Sequence, residues 1–566
     1  MKKSNLFYIT CLCFSLAITS GCKKFLDKEP LDSPSQGTFL TNQNAVNVSL
    51  NALYRSVNWD FGLVPYQSAT DAWTDLAILR ANDLGEGIFD TYNSHPLSIW
   101  KNAYTTIQRA NTILEGMEPN KDKIPAAAYE RMHAETRVLR AWAYHYLVFM
   151  FGDAPLITKT LTPAEFKTQV RTPKAELVSF IYKELDETAA VLAWAPTERG
   201  RVSRAVALGL KARTALNNKE YPLAKATAKE IIDNAKLSLN PQFKDLFTRS
   251  GQKPNAGGEI MFEILYTDAE VSARTNLPLG NASRTAGGQS GRFPAQPLVD
   301  MFEATDGKRI DESAVYNPQK PREKRDLRLR YTVALPGDTV SMNLATFVYD
   351  IYKNTTPIRN ADGTWTVRTN ADFDNAFGPA KSGVGYLWSK YTMTDENAFA
   401  SKVSFILMRY AEILLTYAEA SIESNTIDAQ TIQAINLVRA RAKQPAVETA
   451  IQGNQNELRK LIRRERTVEL AVEGFRWFDV RRWGIAELIM PGKVVGISKT
   501  GTALPPVPNF KTTAVHDLNS IPNYTNQIEQ RFTRETRFWF PRLNLLPVPQ
   551  AERDINPNLT QNEGWN

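Results

Sequence analysis

The sequence predicts a mainly α-helical fold in which tetratricopeptide-like helix pairs form a scaffold, with one loop-rich face that carries small strands. Apolar residues recur at helical spacing from about residue 42 to 250 and again after residue 409. The block from about 251 to 390 holds 13 of the 29 glycines and short β-prone runs. We expect the two helical blocks to pack together, with the irregular segments lying across them.

The amino terminus has the features of a bacterial lipoprotein leader. Two lysines precede an apolar stretch at residues 6–18, which is too short to span a bilayer as a permanent helix. Small residues then lead to Cys22. We therefore predict a signal peptide at residues 1–21 and a single mature unit at residues 22–566.

The cysteines support this interpretation. Cys11 and Cys13 lie within the leader, so Cys22 would be the only cysteine of the mature chain and could form no disulfide within it. Acylation of Cys22 would hold the protein on a membrane through its lipid, because each buried methylene contributes about 0.8 kcal/mol. The alternative is a leader cysteine with cleavage elsewhere.

Within the mature unit, paired helices are predicted in the N-terminal part, at about 42–250. Residues 207–226 have the pattern of helix, short polar turn and helix, similar to a tetratricopeptide unit that lacks its leading tryptophan. The clearest helical periodicities in this part are Ala134 to Met150, Ala175 to Leu192, Ala205 to Leu216 and Tyr221 to Ile232.

The second part, at about 251–566, is predicted to be loop-rich at first and helical later. It ends in a Pro/Gly-rich stretch at about 488–527 and an extended tail. Its predicted strands are Ile260 to Leu265 and Thr346 to Ile351, and its predicted helices are 409–423, Thr431 to Ala442 and Leu458 to Glu473.

Composition and motifs argue against several classes of function. The formal charge of +8 is small for 566 residues, so nucleic acid is not an expected partner. Two of the four histidines, His133 and His145, lie roughly 18 Å apart if they share one helix, so they could not share a metal ion. Neither a phosphate-binding G-x-x-x-x-G-K-[ST] loop nor a GxSxG nucleophile motif occurs. We expect no cofactor and no catalytic activity.

Charged residues on the predicted helices favour ion pairs that connect helices. Glu465 and Glu469 lie one turn apart beside several arginines, and an acid and base role is the less favoured alternative. Aromatic residues of 473–483 are expected to pack in a core corner. The charged set is Arg137, Arg140, Arg409, Glu412, Glu419, Arg439, Arg441, Glu465, Glu469 and Glu473, and the aromatic set is Phe475, Trp477, Phe478 and Trp483.

Nine motifs, in one order along the chain, resemble the SusD/RagB family of outer-membrane nutrient-binding lipoproteins. Each is weak alone, but the shared order is specific. They are FLDKEP after Cys22, NAVNVSLNALYRS at 44–56, WKNAYTTIQRAN at 100–111, AETRVLRAWAYHYLVFMFGDAPL at 134–156, LVDMFEATDGKR at 298–309, RYAEILLTYAEA at 409–420, INLVRARA at 435–442, ERTVELAVEGFRWFDVRRWG at 465–484 and LLPVPQAERDINPNLTQNEG at 545–564.

The resemblance implies a role that composition and periodicity do not reveal. It implies a lipid-anchored protein of the outer membrane, facing the cell exterior, that captures an oligosaccharide or similar nutrient without changing it. It also implies a partner, a SusC-like TonB-dependent transporter, over which the protein acts as a lid. Two alternatives stay open: a surface glycan hydrolase, and a helical-repeat adaptor that binds only protein or peptide.

A sugar-binding site needs flat apolar surfaces and a few planar polar groups, so aromatic residues in polar loops are the candidate ligand contacts. The resembling family draws its ligand contacts from loops in two such regions. Trp73 and Asp75 are the strongest candidates, although each aromatic could instead pack beneath its loop. The candidates are Trp59, Tyr66, Asp71, Trp73, Asp75 and Arg80 in the first region, and Trp365, Tyr386 and Trp388 in the second.

Overall fold

A computed structural model describes residues 40–565 except 62–63, 81–82, 267–274, 361, 374–382, 394–395, 502–503 and 507–520. The predicted signal peptide and Cys22 lie outside the described residues. In the described ranges, no helix combines the length and the hydropathy needed to cross a membrane.

The longer helices lie in two blocks, at residues 43–234 and 410–482, as the apolar periodicity predicts. Short helical turns lie between the longer ones and at the loop-rich face. The longer helices, numbered in chain order, are α1 Gln43–Ser56, α2 Ser94–Met117, α3 Ala126–Phe151, α4 Lys174–Val191, α5 Arg204–Asn217, α6 Tyr221–Asn234, α7 Tyr410–Glu423, α8 Ala429–Arg441, α9 Gln455–Leu470 and α10 Arg476–Arg482. The short ones include Tyr66–Thr70, Asp83–Glu86, Pro163–Phe166, Arg249–Gln252, Leu277–Asn281, Gln296–Met301, Leu327–Thr332, Ala486–Ile489 and Gln550–Ile555.

The helices pack as a continuous series, and this series joins the two helical blocks. Each helix from α2 to α6 packs against the next, α6 packs against α7, and α7 also contacts α8 and α9. Small residues permit this close approach. A Cβ added to Gly209 in α5 would clash with the sulfur of Met408, which lies two residues before α7. The expectation that the two blocks form one scaffold is confirmed.

The strands are short and antiparallel, and they lie mainly at the loop-rich face. Their bounds are β1 Asp60–Phe61, β2 Val64–Pro65, β3 Ala77–Leu79, β4 Ile260–Ile264, β5 Arg292–Pro294, β6 Val333–Ala334, β7 Thr339–Met342, β8 Ala345–Val348, β9 Thr355–Arg359, β10 Trp365–Thr369, β11 Leu387–Trp388, β12 Phe405–Arg409, β13 Gly492–Ser498 and β14 Arg531–Arg537. Four of them form a sheet in the order β10-β9-β8-β7, and the other pairs are β1-β2, β3-β5, β6-β11, β4-β12 and β13-β14.

The main hydrophobic core draws side chains from both helical blocks. A smaller core lies beneath the four-stranded sheet, where Val340, Phe347 and Ile358 point inward at alternate strand positions. The edge strand β10 is exposed along its whole length. The loop-rich face therefore has a hydrophobic core of its own, separate from that of the helical scaffold.

Buried ion pairs connect the helices to one another. Arg409 contacts Glu259, Glu469 and Glu473, and Glu465 accepts from Arg439 and Arg328. Glu469 is fully buried. Although burial disfavours its charge, Arg441, Arg409 and Arg328 lower the pKa of this carboxyl below its usual value. The predicted interhelical ion pairs are confirmed for the members of the set that lie on helices. Arg409 and Glu473 were also expected on helices, but Arg409 ends a strand and Glu473 follows α9, and these two residues pair with each other.

Candidate functional site

A cavity of about 430 Å³ opens on the loop-rich face. Its walls come from the helix Gln296–Met301, the loop that follows, the turn before β11 and the paired ends of β13 and β14. We call this space the loop-face cavity. Its lining includes Gln296, Asp300, Tyr316, Pro318, Gln319, Pro321, Arg325, Pro336, Tyr352, Tyr386, Ser498, Pro505, Pro506 and Arg531.

A chain of hydrogen bonds orients the polar groups on one wall. The Tyr386 hydroxyl donates to Gln296 Oε1 at 2.5 Å, and Gln296 Nε2 donates to Asp300 Oδ1 at 2.9 Å. The Tyr524 hydroxyl donates to Asp300 Oδ2 at 2.6 Å. The amide and the carboxylate are therefore held in defined orientations, as recognition of hydroxyl groups requires.

Tyrosines and prolines supply flat apolar surface around these polar groups. Tyr352 is 39% exposed, and its hydroxyl donates to the Ser498 carbonyl at 3.1 Å, which fixes the ring. Burial raises the pKa of Tyr352 to about 12, so this hydroxyl stays protonated at neutral pH. Tyr316 lies beneath the Arg325 guanidinium, with 5.2 Å between the guanidinium carbon and the ring centre. Half-exposed aromatic rings of this kind can pack on the faces of a sugar.

Two arginines bring positive charge to the cavity. Arg325 donates to the carbonyl oxygens of Val299, Phe302 and Pro321. Arg531 donates to the Gly496 carbonyl and to Gln527 Oε1. Both guanidiniums are held by neutral oxygens.

The structure places most candidates of the first region in the core. Trp59, Tyr66 and Trp73 are buried, and the Trp73 ring centre lies 5.6 Å from that of Trp477 at an interplanar angle of 84°. Trp73 is 0% exposed, so neither of its faces is free to stack on a sugar in this structure. The aromatic side chains of residues 59–80 are therefore part of the core, where they pack beneath the corner between α9 and α10.

The two aspartates of this region are buried with polar partners. Asp75 forms a two-pronged ion pair with Arg476. Asp71 accepts from the backbone N–H of Val472, and burial raises the pKa of the Asp71 carboxyl to about 7. Val472 has φ 72°, a backbone conformation that is costly for a β-branched residue. The expectation that Trp73 and Asp75 lead a ligand site is therefore corrected, because both serve the packing of this corner.

The remaining candidates divide between core and surface. Trp388 is buried in β11, and the mostly buried Tyr386 reaches the loop-face cavity. Arg80 is exposed and donates to the carbonyl oxygens of Gln289 and Ser290. Trp365 is 59% exposed on the edge strand β10. A ligand contact at Arg80 or Trp365 stays a prediction.

Sequence reasoning missed several lining residues that come from distant parts of the chain. Asp300 lies on a short helix, Tyr316 precedes a proline-rich loop, and Arg531 begins β14 more than 200 residues later. Only Tyr316 had a local signal of a binding role, since Pro318 follows it closely. Proline restricts the conformation of a loop and so holds a nearby aromatic side chain in place. Nothing local connects these three positions.

The paired carboxylates considered for catalysis lie away from this cavity. Glu465 and Glu469 are buried in α9 and bonded to arginines, so they form part of the scaffold. The aromatic corner expected at residues 473–483 is confirmed, with Trp477 and Trp483 buried. Among the described residues, no group of three or more His, Cys, Asp or Glu side chains is arranged to hold a metal ion.

Two family models match the chain. Residues 258–565, more than half of its length, match the model of the SusD family. The chain belongs to the SusD family. Residues 24–216 match a further model, described as starch-binding associating with outer membrane.

Individual SusD-like proteins align along nearly the whole chain. The SusD-like protein P25 of Formosa agariphila is 25% identical over 600 aligned positions, which cover 100% of this chain and 99% of the relative. A SusD-like carbohydrate-binding protein of Bacteroides fragilis has a TM-score of 0.75 and 26% identity, covering 92% of this chain and 100% of the solved one. A laminarin-binding SusD-like protein has a TM-score of 0.63 at 18% identity, covering 93% and 100%, which shows a shared fold alone.

Proposed function

We propose that this SusD-family protein binds a glycan in the loop-face cavity, leaves it chemically unchanged and delivers it to a partner transporter. The lining of the cavity carries this proposal. The rings of Tyr316 and Tyr352 stand beside the oriented polar groups of Gln296 and Asp300. A pyranose has apolar faces and a rim of hydroxyls, so it matches such a lining.

The acidic content of the cavity supports binding without hydrolysis. Among the described lining residues, Asp300 is the only carboxylate. Glycoside hydrolysis typically needs two carboxyl groups that face each other across a cleft at about 5 to 9.5 Å. Both oxygens of Asp300 already accept hydrogen bonds, which orients this carboxylate to receive hydroxyl donors from a ligand.

The family comparisons support the proposed location and ligand. The model matched by residues 24–216 is described as starch-binding associating with outer membrane, and the similar protein of Bacteroides fragilis is described as carbohydrate-binding. Within this proposal, acylated Cys22 anchors the chain in the outer membrane with its body at the cell exterior. A SusC-like TonB-dependent transporter receives the oligosaccharide.

Calorimetric titration of the full-length chain, purified in detergent, against a panel of oligosaccharides tests the proposal. We expect saturable binding, with the sugar recovered intact by chromatography. We expect Tyr352→Ala to lower the affinity about tenfold, because it removes a stacking surface. Tyr92→Ala is a matched control, since Tyr92 is exposed and lies outside the cavity lining.

Three outcomes would contradict the proposal. Cleaved sugar would identify a glycan hydrolase. Absence of glycan binding across the panel, together with capture of a protein or peptide, would favour the helical-repeat adaptor. Equal losses for Tyr352→Ala and Tyr92→Ala would show that glycan binds elsewhere than in the loop-face cavity.

A further inference from the structure

We propose that the loop-face cavity selects glycans that carry negative charge, as the carboxylate of a uronic acid or as a sulfate ester. This ligand class rests on the proposed function and adds to it the chemical character of the bound sugar. Arg325 and Arg531 are the residues assigned to the anion.

Both arginines are removed from bulk water at the cavity wall. Arg325 is 7% exposed and Arg531 is 5% exposed. Burial of a cation is costly unless a counter-charge or a full set of hydrogen bonds compensates for lost hydration. The acceptors present are neutral: backbone carbonyls for Arg325, and a carbonyl with one side-chain amide for Arg531.

Several buried arginines of the scaffold are instead paired with carboxylates. Arg328 contacts Asp326, Glu465 and Glu469, and Arg482 contacts Glu419 and Asp479. Across the part of the chain that the structure describes, neither Arg325 nor Arg531 has a carboxylate at ion-pair distance. The cavity therefore concentrates buried positive charge without the acidic partners found elsewhere in this protein.

Asp300 does not neutralise this charge. Its two oxygens accept from Gln296 Nε2 and from the Tyr524 hydroxyl, and the lining as described keeps one net positive charge. The Nε–H of Arg325 is buried and has no hydrogen-bond partner within the described structure. Guanidinium groups that line a cavity suit a carboxylate or sulfate oxygen, because charge-assisted hydrogen bonds are about twice as strong as neutral ones.

Matched glycan pairs test this inference on the full-length chain in detergent. One pair is an oligogalacturonate and its carboxyl-reduced form, and the other is a sulfated galactan oligosaccharide before and after desulfation. We expect at least one charged form to bind about tenfold more tightly than its neutral counterpart, with the preference falling as salt rises. The arm that shows the preference distinguishes carboxylate from sulfate.

The variants Arg531→Gln and Arg531→Lys test whether the preference for charged glycans arises in the loop-face cavity. We expect the glutamine variant to lose most of the preference for the charged form and the lysine variant to retain part of it, since lysine keeps the charge but loses the fork geometry. Thermal unfolding of both variants shows whether the fold is intact. Arg325→Gln is less informative alone, because Arg325 also holds three backbone carbonyls in place.

The results separate this inference from the proposed function. Saturable binding of neutral and charged forms with equal affinity would overturn the inference and leave glycan binding standing. A preference that Arg531→Gln does not reduce would also overturn it, because the anion would then be recognised elsewhere. No binding to any member of either pair or of the wider panel would overturn both.

Discussion

Arg476 and Asp75 form a two-pronged ion pair, with 2.9 Å between Nε and Oδ1 and 2.7 Å between Nη2 and Oδ2. The two residues are 401 positions apart in the sequence, and both side chains are buried. The pair joins the aromatic segment of residues 59–80 to the corner between α9 and α10. Asp75, which the sequence suggested as a ligand contact, therefore connects an N-terminal segment to the C-terminal helical block.

Asp75→Ala is expected to lower the free energy of unfolding by about 3–5 kcal/mol, because it leaves the Arg476 guanidinium buried without its partner. Chemical denaturation measures this change. The double variant Asp75→Ala with Arg476→Met should recover much of the loss, since it removes the unpaired charge. Reduced glycan affinity with unchanged stability would instead support the ligand contact that the sequence suggests.

We expect Trp73→Ala to lower stability, whereas Trp365→Ala should leave stability nearly unchanged and lower glycan affinity. We expect Trp73→Ala to cost about 3–5 kcal/mol of stability, because it opens a cavity in a packed aromatic cluster. Trp365→Ala should change stability by less than about 0.5 kcal/mol, since the ring is exposed, and should weaken binding of long oligosaccharides. Thermal unfolding and titration of both variants provide the comparison. Stable folding of Trp73→Ala together with loss of glycan binding would contradict the structural role.

Asp71 should make stability depend on pH. Its pKa is about 7 in the folded protein, against 3.8 as the ordinary value, so the folded state binds more protons between these limits. The stabilising contribution of the protonated carboxyl is therefore complete below about pH 4 and is lost as pH rises through about 7.

Asp71→Asn isolates this effect, because an amide can still accept from Val472 and does not ionise. We expect the wild type to lose stability relative to the variant by up to about 1.4 kcal/mol per pH unit between pH 4 and 7, and to show no further relative change above that range. Urea denaturation at several pH values measures the difference. A difference that does not vary with pH would show that Asp71 titrates normally.

Cys22→Ser should prevent lipid attachment. We expect the wild-type chain to incorporate labelled acyl groups and to partition into a detergent phase, whereas Cys22→Ser remains in the aqueous phase. Cys11→Ser and Cys13→Ser serve as matched controls, because both positions lie in the predicted leader. Continued acylation of the Cys22→Ser chain would place the anchor elsewhere.

Local patterns predicted the scaffold well. The helix predicted at 409–423 corresponds to α7, Tyr410–Glu423, and the strand predicted at Ile260 corresponds to β4, Ile260–Ile264. In contrast, α3 begins at Ala126, eight residues before the predicted start, because the alanine-rich turn after Pro125 lacks the large apolar residues that mark a helical face. Helix termini depend on capping and on neighbouring packing as well as on periodicity.

Burial could not be predicted for the aromatic candidates. Trp73 and Trp365 both lie in polar loop-like sequence, yet one is enclosed and the other is exposed. The difference depends on Trp477 and Arg476, which come from the far end of the chain and cover the first region. A local window contains no information about such a partner.

The sequence by itself determined the helical scaffold, the interhelical ion pairs and the resemblance to the SusD family, because periodicity, charge and motif order are recorded in neighbouring residues. Only the tertiary structure decided which polar and aromatic side chains meet in the loop-face cavity. Asp300, Tyr352 and Arg531 come together there because the loops fold back over a common apolar support. Contacts between distant segments are set by the packing of the whole chain, and this packing is not encoded at any one position.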